Sequence, residues 1–221
     1  MRRKRRSDRG AASIVTHWRN TRSLEIVRHL NERYLLWLAH IATADREHAL
    51  AIFRQNRDLW KILDARACSR GARTPIVLLN CNFQYADWWA SVASHNVPPV
   101  RYKGNDGSSI AEDAQQVLRE VLTEARTIAV SEPGVANLVL GAPSPAVRLI
   151  ASLTLSDVDW IAGKYAQELR PRWAEKSVFW RNLLVSSLGD TDQGLSELYR
   201  HGLQLVGSDL LEFFGPRIHG T

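Results

Sequence analysis

Residues 149–173 constrain the fold of this chain most, because they predict two short helices joined by a tight turn. Thr154 can cap the second helix, and Asp157 stands three residues later, where a capping box needs its acceptor. After the cap, apolar side chains recur at helical spacing and predict one buried stripe. The stripe consists of Leu155, Val158, Ile161, Ala162, Tyr165 and Leu169. A helix, a sharp turn and a capped helix are typical of a unit that presents a helix to DNA or to another protein.

Helical periodicity extends over most of the remaining chain, so the sequence predicts an all-α fold. The apolar run 75–83 fits a buried strand as well as the start of a helix, and periodicity leaves both open. Residues 96–109 concentrate Pro, Gly, Asn, Asp and Ser and are predicted to be a linker. The other predicted helices are 23–43, 45–63, 85–93, 109–130, 176–188 and 190–206, and a short last one that Ser208 caps.

The net charge of +6 is concentrated in the first nine residues. Outside them the chain carries 23 basic and 22 acidic groups, which is close to neutral. Such a run is typical of an arm that neutralises phosphates, although a solvated terminus or a mitochondrial targeting sequence has the same composition. The basic residues of the arm are Arg2, Arg3, Lys4, Arg5, Arg6 and Arg9.

Several classes of protein are disfavoured by what the sequence lacks. No run approaches the roughly 18 apolar residues of a membrane span. Cys68 and Cys81 are the only cysteines and form no metal-binding spacing, so we expect buried thiols, a reducing compartment and the cytoplasm, without a bound metal or cofactor. Asp157 and Asp159 lie two apart and face different ways on a helix, and no nucleophile or phosphate-loop motif occurs. We therefore predict no catalytic residues.

A resemblance to a known family is carried by residues 124–173. This segment resembles the FlhD subunit of the flagellar master transcriptional activator, and it aligns without a gap. It departs from the family pattern at Pro133, Gly134 and Val139. The matching residues are Ala125, Arg126, Leu138, Gly141, Leu153, Thr154, Leu155, Ile161, Ala162, Arg172 and Trp173.

A second, weaker copy of the same pattern lies earlier in the chain. Residues 30–36, Leu38, Ala39, Asp45 and 51–54 are similar to the opening helices of FlhD. Residues 78–83 stand where the family has its closing aromatic segment, and residues 67–71 replace the capped helix. Because FlhD forms a dimer, two copies in one chain imply a covalent pseudo-dimer. The predicted divisions are a basic arm 1–22, an FlhD-like unit 23–95, a linker 96–109, a second unit 110–181 with the helix-turn-helix-like element, and C-terminal helices 182–221.

The resemblance implies a subunit of a bacterial transcription activator that binds promoter DNA together with an FlhC-like partner and recruits RNA polymerase. Its targets would be flagellar or conjugative-transfer operons. A helical adaptor or a secretion component without DNA binding is the main alternative.

Basic and aromatic residues near the end of the second unit are the candidate site. Besides the arm, the predicted DNA contacts are Lys164, Arg170, Arg172, Lys176 and Arg181. Glu168 and Glu175 could balance these charges on an ordinary helix surface, which is the alternative. The predicted partner interface consists of Trp88, Trp89, Trp173 and Trp180, for which a two-sided monomer core is equally possible.

Overall fold

The computed structural model describes residues 22–43, 51–94, 109–166 and 169–214, and almost all of them are helical. The predicted all-α fold is therefore confirmed. The basic arm and most of the predicted linker lie outside the described residues. The first half of the chain contains α1 (Arg22–Thr43), α2 (Ala51–Gln55), α3 (Arg57–Lys61), α4 (Ala65–Gly71), the two-residue strand β1 (Leu79–Asn80) and α5 (Ala86–Ala93).

The second half repeats this order of elements. Its first helix is as long as α1, three short helices follow, and a two-residue strand precedes a further helix. These elements are α6 (Ser109–Ser131), α7 (Pro133–Leu140), α8 (Ser144–Ser152), α9 (Leu155–Tyr165), β2 (Arg170–Pro171) and α10 (Ser177–Leu188). A last helix, α11 (Gln193–Phe214), has no counterpart in the described part of the first half.

The strand and the helix after it are spaced identically in the two halves. β1 and α5 start seven residues apart, and so do β2 and α10. Asn82 and Trp173, each three residues after the start of a strand, are the two non-glycine residues with positive φ among those described, at 54° and 52°. Each carbonyl accepts a hydrogen bond from the amide three residues on, at 3.0 Å from Tyr85 and 2.8 Å from Lys176. One turn conformation is thus built twice.

The two strands pair antiparallel in a register that a two-fold axis would preserve. Leu79 lies opposite Pro171, and Asn80 lies opposite Arg170. A two-fold axis would interchange Leu79 with Arg170 and Asn80 with Pro171. The pair Leu79–Pro171 would then take the place of the pair Arg170–Asn80. The long helices α1 and α6 also pack against each other across this relation.

The halves exchange the helices that follow their strands, α5 and α10. α5 of the first half packs against α8 of the second, and α10 of the second half packs against α4 of the first. The buried side chains of both halves belong to one hydrophobic cluster, which includes Leu35, Trp60 and Trp89 from the first and Leu122 and Trp180 from the second. The halves therefore share a core, rather than docking as two separately closed units.

The segment that the sequence left open, 75–83, is not helical; it is largely buried and includes β1. The side chain of Asn31, itself fully buried, explains why: its amide donates to the carbonyl oxygens of Thr74 (3.1 Å) and Ile76 (2.8 Å). Its carbonyl oxygen accepts from the amide of Leu78 (2.9 Å). These bonds satisfy backbone groups that a buried non-helical segment would otherwise leave unpaired.

Two sequence predictions about the C-terminal region are wrong. The proposed boundary between residues 181 and 182 falls inside α10, whose buried face continues through Leu183 and Leu184. Ser208 does not cap a separate helix, because α11 is continuous there and the Ser208 hydroxyl donates to the Gln204 carbonyl one turn back.

Among the described residues no single helix has both the length and the apolar composition to cross a membrane. Only α7 and α8 together pass that test, and the chain bends by 111° between them. Their apolar side chains lie in the shared core, which accounts for the composition.

Candidate nucleic-acid interface

The capped helix predicted from the sequence is present as α9. The Asp157 amide donates to the Thr154 hydroxyl (3.1 Å), and the Asp157 carboxylate accepts from the Thr154 amide (2.8 Å), which completes a capping box. The buried stripe runs from Val158 to Leu169. Leu155 does not belong to it, because its side chain is 69% exposed. The first residue of α9 thus faces outward rather than into the core.

The outer face of α9 is not a basic surface. Asp159 points outward and binds the Arg119 guanidinium of α6 at 2.7 Å. Ser156 and Gly163 are also exposed, and Lys164 is the one basic residue of the helix. An outer face that carries an ion-paired carboxylate gives α9 little attraction for phosphates by itself.

A second turn with helix-turn-helix character lies just upstream. Gly141, Ala142 and Pro143 join α7 to α8 with the 111° bend, which is the range of such motifs. Gly141 adopts φ 62° and ends α7, and Asn137 donates to the Ala142 carbonyl at 2.7 Å.

Five of the predicted DNA-contacting residues lie outside the basic arm. Four of them are exposed, and one is buried. Lys164, Arg170, Lys176 and Arg181 have exposed side chains. Arg172 is only 5% exposed, so the prediction that it contacts phosphate is wrong.

Arg172 is held in the interior by contacts with three helices, α7, α10 and α11. Its guanidinium lies against Gly141, donates to the Val139 carbonyl (3.3 Å) and pairs with Asp209 of α11 (3.5 Å). Its own carbonyl accepts from the Trp180 indole at 2.8 Å. Burial lowers the pKa of Arg172 to about 10, and Asp209 opposes the shift, so the group stays charged at neutral pH.

Three of the four tryptophans predicted to face a partner are buried by the chain itself. Trp89 and Trp180 are fully buried, and Trp173 is 6% exposed and donates to Asp209 at 2.9 Å. For these three the partner-facing prediction is wrong and the two-sided core is what the structure shows. Trp88 is partly buried against Tyr165, with ring centroids 5.5 Å apart.

Trp89 and Trp180 hold corresponding places in the two halves. Each stands ten residues after the start of its strand, on the helix that the halves exchange. The Trp89 indole donates to the Asn82 carbonyl (3.1 Å), much as the Trp180 indole donates to the Arg172 carbonyl. Each aromatic therefore anchors an exchanged helix to the turn before it.

Two carboxylates that organise this region, Asp64 and Asp209, were not predicted from the sequence. The Asp64 carboxylate caps α4 by accepting from the Ala67 amide at 2.7 Å, in the place that Thr154 has in the second half. A Leu-Asp pair before α4, parallel to Leu153-Thr154 before α9, was the available signal. Asp209 gave none, because its partner lies 37 residues away.

No group of three His, Cys, Asp or Glu side chains that could hold a metal ion occurs among the described residues. Cys68 and Cys81 are buried thiols, as the sequence predicts. The absence of catalytic residues stays a prediction.

Burial raises the pKa of Cys68 from 9.0 to about 11, with further contributions from Asp64 and Glu32. The folded chain thus holds this proton more tightly than the unfolded chain, so the associated stability is present below pH 9 and is lost as pH rises through 11. We expect Cys68→Ala to weaken the loss of stability across that window by about 1–2 kcal/mol. Urea unfolding at a series of pH values measures this, and an unchanged slope would contradict it.

A comparison with protein-family models, curated proteins and solved structures finds no match for this chain.

Proposed function

We propose that this chain is a subunit of a heteromeric bacterial transcription activator of the FlhD type. It binds promoter DNA together with an FlhC-like partner and recruits RNA polymerase, at flagellar or conjugative-transfer operons in the cytoplasm. The observation that carries the proposal is the repeated order of elements around the paired strands β1 and β2. Two FlhD-like units in one chain, arranged like the two subunits of a dimer, would have this repeated order of elements.

The exposed cations supply the physical mechanism of DNA contact. Lys164, Arg170, Lys176 and Arg181 are on the surface of the second half, and the basic arm adds six more positive charges. Such groups bind phosphates without reading sequence. Because the outer face of α9 carries an ion-paired carboxylate, we expect this chain to contact phosphates and the FlhC-like partner to contact the bases.

Removal of the basic arm is expected to reduce the salt dependence of DNA binding. Each phosphate contact contributes about 0.9 to the slope of log affinity against log salt concentration, so loss of the six arm cations should flatten the slope by up to about 5. Fluorescence anisotropy with a labelled promoter duplex, the full-length chain and its co-purified partner measures the slope before and after deletion of residues 2–9.

The matched control keeps the length of the arm and replaces its six cations with glutamine. If charge is what matters, this variant should behave like the deletion. Equal slopes for all three proteins would show that the arm makes no phosphate contacts. Variants of the folded part would then test whether that part contacts DNA.

A helical adaptor without DNA binding is the second candidate. Exposed apolar side chains favour it, above all Leu155 and Leu211, which are 69% and 71% exposed. An adaptor would show no preference for a promoter fragment over an unrelated duplex at any salt concentration, whereas the activator subunit should show one when its partner is present.

A further inference from the structure

Three aromatic side chains from both halves pack together beneath one part of the surface. Phe53 of α2 contacts Trp60 of α3 with ring centroids 5.3 Å apart, and Trp60 contacts Trp180 of α10 at 6.1 Å. All three are buried, at 5% exposure or less. The cluster fixes α2, α3 and α10 to one another.

Each of these aromatics is followed directly by an exposed cation. Arg54 follows Phe53, Lys61 follows Trp60, and Arg181 follows Trp180. Because consecutive residues on a helix point about 100° apart, each cation emerges beside its buried neighbour. The packed aromatics thus place side by side the three helices that carry these cations, two from the first half and one from the second.

Arg54, Lys61 and Arg181 form no ion pair within the described residues. Helix α10 contains no acidic residue, and α2 and α3 together contain one, the exposed Asp58. By contrast, Arg66 pairs with Asp190 at 3.5 Å, and Arg70 pairs with Asp192 at 3.3 Å. Neighbouring arginines of α4 are therefore used within the protein, whereas these three cations are available for a ligand.

We propose that Arg54, Lys61 and Arg181 form a surface that binds the phosphate backbone of duplex DNA, with contributions from both halves of the chain. The inference rests on the proposed function and assigns to it two residues of the first half that had no role. Duplex DNA is the partner because single strands are held largely by stacking on exposed aromatics, and here the aromatics are buried.

The triple variant R54Q/K61Q/R181Q tests the surface. The matched control R28Q/R148Q/R200Q removes the same charge from exposed positions on α1, α8 and α11. The full-length proteins, each with its co-purified partner, are titrated with a labelled duplex of about 30 base pairs over a range of salt concentrations. We expect the triple variant to flatten the salt slope by about 2–3, and the control to change it by less than about 1. Circular dichroism and thermal melting verify that both variants remain folded.

The outcomes separate this inference from the proposed function. If the unmodified chain with its partner binds no duplex, both fail. If it binds, and the triple variant and the control have the same slope, the surface assignment fails and the proposed function stands. Because Ile62 beside Lys61 is 63% exposed, vesicles of anionic phospholipid form a second arm. Loss of vesicle binding alone in the triple variant would also overturn the assignment.

Discussion

Replacing Gly141 with alanine is expected to lower the free energy of unfolding by about 2–5 kcal/mol. A left-handed conformation costs an L-residue about 1–2 kcal/mol, and Gly141 has φ 62°. The added Cβ would also overlap the Arg172 guanidinium, which is buried and could move only by giving up its contacts with Val139, Trp173 and Asp209. Overpacking of this kind costs a further 1–3 kcal/mol or so. Urea or thermal unfolding measures the loss.

Gly134→Ala is the matched control. This glycine lies at the start of the same helix, and a Cβ there meets nothing within 4 Å. Because alanine is the better helix former, the control should leave stability unchanged or raise it by up to about 1 kcal/mol. Equal destabilisation by the two substitutions would refute the account.

A double variant separates the two terms. In an Arg172→Ala background, Gly141→Ala should retain the conformational cost and lose the overlap. Its effect should therefore be smaller than in the native background by about 1 kcal/mol or more. If the effects of the two substitutions on the free energy of unfolding are additive, steric overlap with Arg172 does not contribute to the effect of Gly141→Ala.

Local features of the fold could be predicted from the sequence, and features set by distant partners could not. The box of Thr154 and Asp157 is closed by residues three apart, so its spacing alone predicts the start of α9. The conformation of 75–83 depends on Asn31, some 45 residues earlier, and no local pattern contains that information.

The candidate site shows the same division. Arg172 stands next to an aromatic residue after a helix, and this position predicts an exposed side chain. The prediction fails when a carboxylate from a distant part of the chain forms an ion pair with the arginine in the core. Asp209 does so from α11. In contrast, Arg170, Lys176 and Arg181 have exposed side chains, as a phosphate contact requires.

The sequence predicts a tandem of two similar units, but it could not predict on which half each helix packs. Periodicity shows that α5 and α10 each have a buried face. It does not show whether that face packs on its own half or on the other, because both choices bury the same side chains. The shared core arises from the second choice.

The two halves are expected to fold only together. When residues 1–100 and 101–221 are expressed separately, each fragment contains a helix whose apolar face packs on the other fragment in the native chain. Trp89 in the first fragment and Trp180 in the second therefore lose their native surroundings. Each fragment also lacks the strand that β1 or β2 pairs with. We therefore expect weak helical circular dichroism and no cooperative melting from either alone, and recovery of both on mixing.

The cost of cutting the chain is set by effective concentration. A short connection holds its ends at about millimolar concentration, so at 10 micromolar fragments the assembly should be less stable by about 3 kcal/mol, and its melting temperature should rise with concentration. Trp180→Ala in the second fragment removes the anchor of the exchanged helix and should prevent recovery, whereas Val178→Ala, at a position 65% exposed on the same helix, should not. A fragment that melts cooperatively by itself would mean that its core is closed within one half. The contacts of α5 and α10 with the other half would then join two domains that are each folded on their own.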